Sequence, residues 1–347
     1  MEYRDRREKR GSSRTERSRS PERRLVQEKD GAQPTPRCAS QVNKKLISSI
    51  LKRIPSCSEG FLLQGTDVPP LKAEECPGFT GVKIRVLEKD PLDAAVELAN
   101  NTRSGSDTSS NAVTAAGDTP ATIPDHGRTC LLNTAIAQLP KDGCGFVEKL
   151  KQEKSLYERS TLSKTLNGDI YPVPRKTAVY SPSVVIFGDS QRPTRELKSI
   201  EDPASLPLVS VISTPAIVHP NIRAVRTYVV KADRKGVVRR IPSYEQLYHF
   251  KSHRRAVKES IRLLLRISAS KKHRRIVVSV LGFDEYMHPK EDSANCWAEV
   301  FGEPEFQGGW WTDVVFAVLD PPPHPERNYG QGHIYINKLD GLAVSPP

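Results

Sequence analysis

The stretch that decides the fold runs from Cys130 to Leu166, CLLNTAIAQLPKDGCGFVEKLKQEKSLYERSTLSKTL. It opens on an apolar run of strand length and breaks at a turn holding Gly143 and Gly145. It closes in a helix around 147–166 whose Leu156 and Leu162 mark the inward face. The same alternation recurs on either side of this stretch. Residues 82–87 (VKIRVL) alternate as a half-buried strand, and 91–100 (PLDAAVELAN) read as a short helix. Candidate strands follow at 129–133, 183–187 and 208–214, then a long helix over 244–268. The continuous apolar run 275–283 (RIVVSVLGF) predicts a strand, 293–301 a short helix, 313–320 (DVVFAVLD) a buried strand, and 332–339 (GHIYINKL) an edge strand. Strands that are apolar throughout and alternate with helices are buried on both faces. The expected architecture is α/β: a three-layer α/β/α mixed sheet, with function in loops at the carboxyl ends of its strands.

The chain has 347 residues, 53 Lys and Arg against 41 Asp and Glu, and a formal charge of +12. With 37 % hydrophobic and 27 % charged residues it is too polar to be one compact body from end to end. Of its aromatic residues only Tyr3, Phe61 and Phe79 precede position 128, so the core is expected in the later part. Residues 1–24 hold ten basic and five acidic side chains and no aliphatic before Leu25, which predicts disorder. The run RSRSPERR reads as an Arg/Ser arm with Ser20 as a candidate phosphosite. Its functional reading is a nucleic-acid or nuclear-import arm; the plainer one is a solvated tail. The expected organisation is a disordered basic arm over 1–77, a domain over 78–340 with a loop insertion at 102–127, and a tail over 341–347. Within the arm, Val42, Leu46, Ile47, Ile50, Leu51 and Ile54 fall at helical spacing and stop at Pro55, giving a short helix over 42–54 expected to dock on the domain.

Several classes are excluded by pattern. The longest apolar run, 314–319, is far shorter than the ~18 residues of a membrane helix. The N-terminus has no apolar h-region, so no secretory signal is expected. The six cysteines form no C-x-x-C pair, which predicts reduced thiols and a cytoplasmic or nuclear protein. No histidine lies in a metal-binding motif. His249 and His253 are one helical turn apart, but Lys251 and Arg254 beside them oppose a cation. Neither metal nor cofactor is expected.

The chemistry is sought in the opening stretch. A turn with two glycines lets backbone N–H groups approach a phosphate, although ordinary turns use glycine too. The polar QEK that follows, at a helix start, places Gln152 and Glu153 beside whatever the turn binds.

This stretch resembles the microbial-type poly(ADP-ribose) glycohydrolases, a branch of the macrodomain fold. The matching pieces are LLN-x-A (Leu131, Leu132, Asn133, Ala135), Pro140, GCGF (Gly143, Cys144, Gly145, Phe146), QEK, Leu156 and RSTL (Arg159 to Leu162). Leu166, Tyr171-Pro172 and YSPSVVIF (180–187) continue the match, with DPLDAA (90–95) before it and VSVISTPA (209–216), VVSVLGF (277–283) and DVVFAVLD after it. The resemblance covers roughly residues 81–320. It implies ADP-ribose or poly(ADP-ribose) as ligand, bound by Asn133, Gly143, Cys144, Gly145, Phe146, Gln152, Gly282 and Phe283. In the family the second acid of QEE protonates the departing ribose oxygen, and its neighbour holds the ribose.

Here the first acid is retained as Glu153 and the second position is Lys154. An ammonium with a reference pKa of ~10.4 is a poor donor and puts positive charge where the transition state develops it. Loss of a general acid lowers the rate by orders of magnitude. Cys144 interrupts the family's triple glycine, and FDEYMHPKED (283–292) replaces its second glycine-rich loop. That places Asp284, Glu285, Glu291 and Asp292 where phosphates are expected. The reading is a divergent relative that is ADP-ribose-binding or catalytically impaired. One alternative is an active hydrolase with its acid relocated to Glu153, Glu148 or Glu158. The other is a polyanion or nucleic-acid adaptor using the basic arm and the helix 244–268. Residues 251–275 hold ten basic side chains and one acid, with Arg254, Arg255, Lys258, Arg262 and Arg266 on the side opposite the apolar stripe. The plainer reading of that helix is a solvated face.

Overall fold

The computed structural model describes residues 44–101, 128–135, 156–166, 170, 173–188, 205–232, 238–280, 286–319 and 331–347. The basic arm over 1–24 and the insertion over 102–127 lie outside the described residues. In chain order the elements are α1 (Lys44–Arg53), β1 (Phe61–Gln64), β2 (Ile84–Leu87), α2 (Pro91–Asn101), β3 (Cys130–Ala135) and the short α3 (Leu162–Thr165). There follow β4 (Thr177–Val185), β5 (Leu208–Pro215), β6 (Ile222–Ala232), β7 (Val238–Tyr248), α4 (Lys251–Ser270) and β8 (Arg275–Ser279). The chain ends with α5 (Lys290–Phe301), β9 (Asp313–Ala317) and α6 (Gln331–Leu339).

Seven strands form one mixed sheet in the order β1-β4-β5-β3-β8-β9-β2, and β6 pairs with β7 apart from it. From β5 to β2 all neighbours are parallel, while β4 pairs antiparallel with both β5 and β1. Because successive side chains point to opposite faces, each central strand feeds two cores. Leu132, Ile276, Val278, Val314 and Phe316 pack toward α4, α5 and α6, meeting Ile261, Leu264, Trp297, Phe301 and Tyr335. Leu131, Val277, Val315 and Ala317 point the other way, onto Leu92, Ala95 and Leu98 of α2 and onto Leu156 and Leu162. This is the three-layer α/β/α architecture expected from the uninterrupted apolar runs.

The fold takes in more of the N-terminal part than the expected boundary at 78. Leu46, Ile47 and Ile50 of α1, with Ile54 just after it, are buried against Val185, Phe187, Leu206 and Leu208, so this helix docks on the domain that follows it. β1 then adds an antiparallel edge to β4. At the other end, Val344 is buried and its amide donates to Val82 O, so the last residues pack on the domain as well.

Several elements differ from expectation. Residues 244–248 are the end of β7, and the helix begins at Lys251; the hairpin β6–β7 has no counterpart among the expected elements. Residues 331–339 form a helix rather than an edge strand. Tyr335 and Leu339 are buried one helical turn apart; a strand would have put Asn337 on their face, yet Asn337 is exposed. Lys290, Glu291 and Asp292 belong to the first turn of α5 rather than to a loop, after Pro289. Strands β8 and β9 stop at Ser279 and Ala317, short of the expected Phe283 and Asp320.

Candidate functional site

The parallel strands β5, β3 and β8 lie side by side, with Asn133 opposite Ser213 and Leu132 opposite Val278. Their carboxyl ends are therefore neighbours. From there the chain runs on to 136–155 after β3 and to 281–285 after β8. Gly143, Cys144, Gly145, Phe146, Gln152, Glu153, Lys154, Gly282 and Phe283 fall in these two segments and lie outside the described residues, as do Asp284 and Glu285. Asn133 is described: it is buried, and its Nδ2 donates to Ser213 Oγ at 3.2 Å.

The RSTL and DPLDAA pieces, far apart in sequence, meet. Arg159 Nη2 donates to both Asp90 oxygens at 2.7 Å, and its Nη1 donates to Asp93 Oδ1 at 3.1 Å. Asp90 Oδ1 also accepts from the Leu92 and Asp93 amides at 2.9 and 3.2 Å, capping α2. Arg159 is 1 % exposed, so this is a buried, charge-assisted link from one guanidinium to two carboxylates. The same segment is stitched to the end of β4: Thr161 N donates to Val185 O, and Phe187 N to Arg159 O. Residues 156–166, one residue beyond QEK in the chain, are thereby held.

The stretch after β5 is tied to the stretch before α5. His219 N donates to Tyr286 O at 3.0 Å. His288 lies 2.8 Å from the Ile217 carbonyl through Nε2 and 2.7 Å from Tyr248 Oη through Nδ1. A carbonyl only accepts, so Nε2 carries the hydrogen and Nδ1 accepts from the tyrosine. Burial pushes the His288 pKa down to about 4, outweighing the carbonyl contact, and keeps the ring neutral. Beside this tie a cleft of about 960 Å³ opens between the end of β5 and α4, lined among others by Arg175, Lys176, Ile217, His253 and Glu259. These five lie on three segments, 175–176, the stretch after β5 and α4, and nothing in one sequence joins them.

The basic face of α4 is not the open surface expected. Arg254 bonds Asp292 at 2.9 Å and Glu299 at 2.6 Å, and Lys258 lies 3.3 Å from Glu299. Arg262 is bidentate to Glu303 and Arg266 to Glu305, each with bonds of 2.6–2.7 Å. Arg255 alone of the five is mostly exposed, 3.9 Å from Glu259. The physical reason is register. Cations spaced four apart on α4 run along acids on α5 and the turn after it. The hydrogen bond from Arg254 holds the Glu299 carboxyl below its ordinary range, and burial only partly opposes it. Asp292, expected near phosphates, is instead buried under Arg254 and the Tyr248 amide.

Among the described residues no group of three or more His, Cys, Asp or Glu is placed to hold a metal ion, and no helix is long and apolar enough to cross a membrane. Cys57, Cys130 and Cys296 are buried free thiols. Burial pushes Cys57 up to about 11 and Cys296 to about 12, so neither is nucleophilic near neutral pH.

The sheet order and the three layers define a macrodomain-like α/β/α fold. No protein-family profile and no curated protein matches the sequence. Among solved structures, poly(ADP-ribose) glycohydrolase from Thermomonospora curvata superposes with a TM-score of 0.55 at 18 % identity, covering 87 % of this chain and 99 % of that one. Its complex with the inhibitor ADP-HPD gives 0.54. Poly(ADP-ribose) glycohydrolase from Deinococcus radiodurans in complex with ADP-ribose gives 0.53 at 19 % identity, covering 82 % of this chain and 95 % of that one. At such identities the likeness establishes a shared fold.

Proposed function

We propose that this domain binds ADP-ribose or its polymer and is impaired as a glycohydrolase. The observation that carries the reading is the pairing of β3 with both β5 and β8. It brings the exits toward 136–155 and 281–285, the two segments holding the glycine turn, QEK and Gly282-Phe283, to one end of the sheet. Ligands of open α/β sheets bind at such ends. The shared fold with glycohydrolases crystallised with ADP-ribose and with ADP-HPD supports the same ligand class. Impairment rests on Lys154, which stands where the resemblance requires the proton donor.

The test is calorimetric titration of ADP-ribose into the full chain and into Lys154→Glu, with release of ADP-ribose from the polymer assayed in parallel. Both proteins are expected to bind in the micromolar range. The variant is expected to hydrolyse the polymer at least ~100-fold faster, the usual return of a positioned general acid. Fast turnover by the unchanged chain, abolished by replacing Glu153, Glu148 or Glu158, would establish a relocated acid. No heat in either titration would remove ADP-ribose as the ligand.

A further inference from the structure

β6 and β7 form a ribbon outside the main sheet, paired from Ile222 with Tyr248 at its base to Ala232 with Val238 at its far end. The base is pinned: Gln246 N donates to Glu291 Oε2 at 3.3 Å and Tyr248 N to Asp292 Oδ2 at 3.1 Å. Eleven residues per strand make an arm of about 35 Å. Beyond the base, Tyr228 is 54 % and Tyr244 64 % exposed, and Val230, Val238 and Ile241 are exposed as well.

Directly opposed residues of an antiparallel pair share a face. Arg226, Tyr228 and Val230 therefore lie on the same face as Tyr244, Pro242 and Arg240. Arg226 is directly opposite Tyr244, and its guanidinium carbon is 5.5 Å from the centre of the Tyr228 ring. The face thus carries two exposed phenol rings with a guanidinium between them and a second guanidinium farther out. The sequence of the two strands holds Arg223, Arg226, Lys231, Arg239 and Arg240 against one acid, Glu245.

Charge on an exposed ribbon discourages strand-to-strand aggregation, which accounts for arginines but not for open aromatic rings. Rings interleaved with cations match a polyanion that offers flat π-faces between its charges. A duplex hides its base faces in the stack, and an acidic peptide has none in series. We propose that this face binds single-stranded nucleic acid, with Tyr228 and Tyr244 stacking on bases and Arg226 and Arg240 meeting phosphates. The inference stands apart from ADP-ribose binding and from the state of the general acid.

The experiment is fluorescence anisotropy of the full chain with a labelled single-stranded oligonucleotide of mixed sequence, with its duplex and with poly(ADP-ribose) as competitors, over a salt series. The basic N-terminal arm is present in every variant, so the readout is the difference that the ribbon makes. Tyr228→Ala and Tyr244→Ala are each expected to weaken single-strand binding about ten-fold, while Tyr→Phe at both keeps it, because the ring face is retained. Arg226→Gln is expected to weaken binding and lower the salt slope by about one. Unaltered thermal melting of these surface variants confirms that the fold is intact. Unchanged affinity in the alanine variants overturns the proposal. So does competition by duplex as effective as by single strand, displacement by poly(ADP-ribose) alone, or a shift in oligomeric state when the tyrosines are removed.

Discussion

Along α4, Arg254, Lys258, Arg262 and Arg266 each meet a carboxylate of α5 or of the turn after it. On the β6–β7 ribbon, Arg226 and Arg240 stand opposite Tyr244 and Val230 instead. The two regions are similar in composition and opposite in use. A helix that must bury one side on a sheet brings its flanking cations against a neighbouring helix, where matching acids hold them in place. A two-stranded ribbon has no interior, so beyond its pinned base Arg226 and Arg240 stay exposed. Net charge summed along a sequence does not separate these cases; the neighbour does.

Arg159 extends the comparison to a cation with no solvent at all, and it carries the largest expected effect. Arg159→Met would keep most of the side-chain volume and leave Asp90 facing Asp93 with the guanidinium gone. Breaking a buried ion pair from one side costs about 3–5 kcal/mol, which is a large share of a domain's stability. Chemical denaturation of Arg159→Met beside Arg226→Gln should show a collapse of the midpoint in the first and a change within about 0.5 kcal/mol in the second. Equal losses would mean that the ribbon arginine is structural after all.

Acidification separates the base of the ribbon, where His288 meets Tyr248, from the ion pairs along α4. The unfolded chain protonates His288 near its ordinary value of 6.5, whereas the folded chain does so only at about 4. Its contribution is complete above pH 6.5 and is lost as pH falls toward 4, on the order of 3 kcal/mol in all. Glu299, Glu303 and Glu305 are also held below their ordinary value, against the burial that raises them, by Arg254, Arg262 and Arg266. Their share is present above pH 4.5, the ordinary value, and disappears at lower pH. Thermal melting across pH should therefore fall in two stages, and His288→Gln should flatten the upper one alone. A single stage below pH 4.5 in the unchanged chain would mean that the Tyr248–His288–Ile217 tie does not hold the ring neutral.

Much of the sheet was legible because its central strands are buried on both faces. Runs such as Ile276-Val277-Val278 admit no solvent side, and their order along the chain carried the three layers. The ribbon was missed because β6 mixes arginine with valine and alanine without a clean alternation. The stretch Tyr244–Tyr248 also runs straight into a strong helical pattern, which absorbed it. Gly332–Leu339 alternates in sequence like a strand, but Tyr335 and Leu339 reach the core at helical spacing. For the site, motif order led to Asn133 and to the neighbouring strand ends. The pairing of Arg159 with Asp90 and the cleft around His253 needed the fold, since each joins segments far apart in sequence.

The smallest effect tests the comparison most finely. Arg262 donates through Nε and Nη2 to the two oxygens of Glu303, both at 2.7 Å, with each side chain about one-quarter exposed. Bidentate geometry favours a real coupling, while solvent and salt weaken it, so a double-mutant cycle of Arg262→Gln and Glu303→Gln should return about 0.5–1 kcal/mol. Raising the salt to a Debye length of ~3 Å should shrink that figure. Because Arg262 is already occupied by Glu303, Arg262→Gln should leave oligonucleotide affinity where it was, whereas Arg226→Gln should lower it at no cost in stability. If Arg262→Gln weakened oligonucleotide binding as much as Arg226→Gln did, the acids of α5 and of the turn after it would not be neutralising α4. The helix would then have to be counted with the ribbon as one polyanion surface.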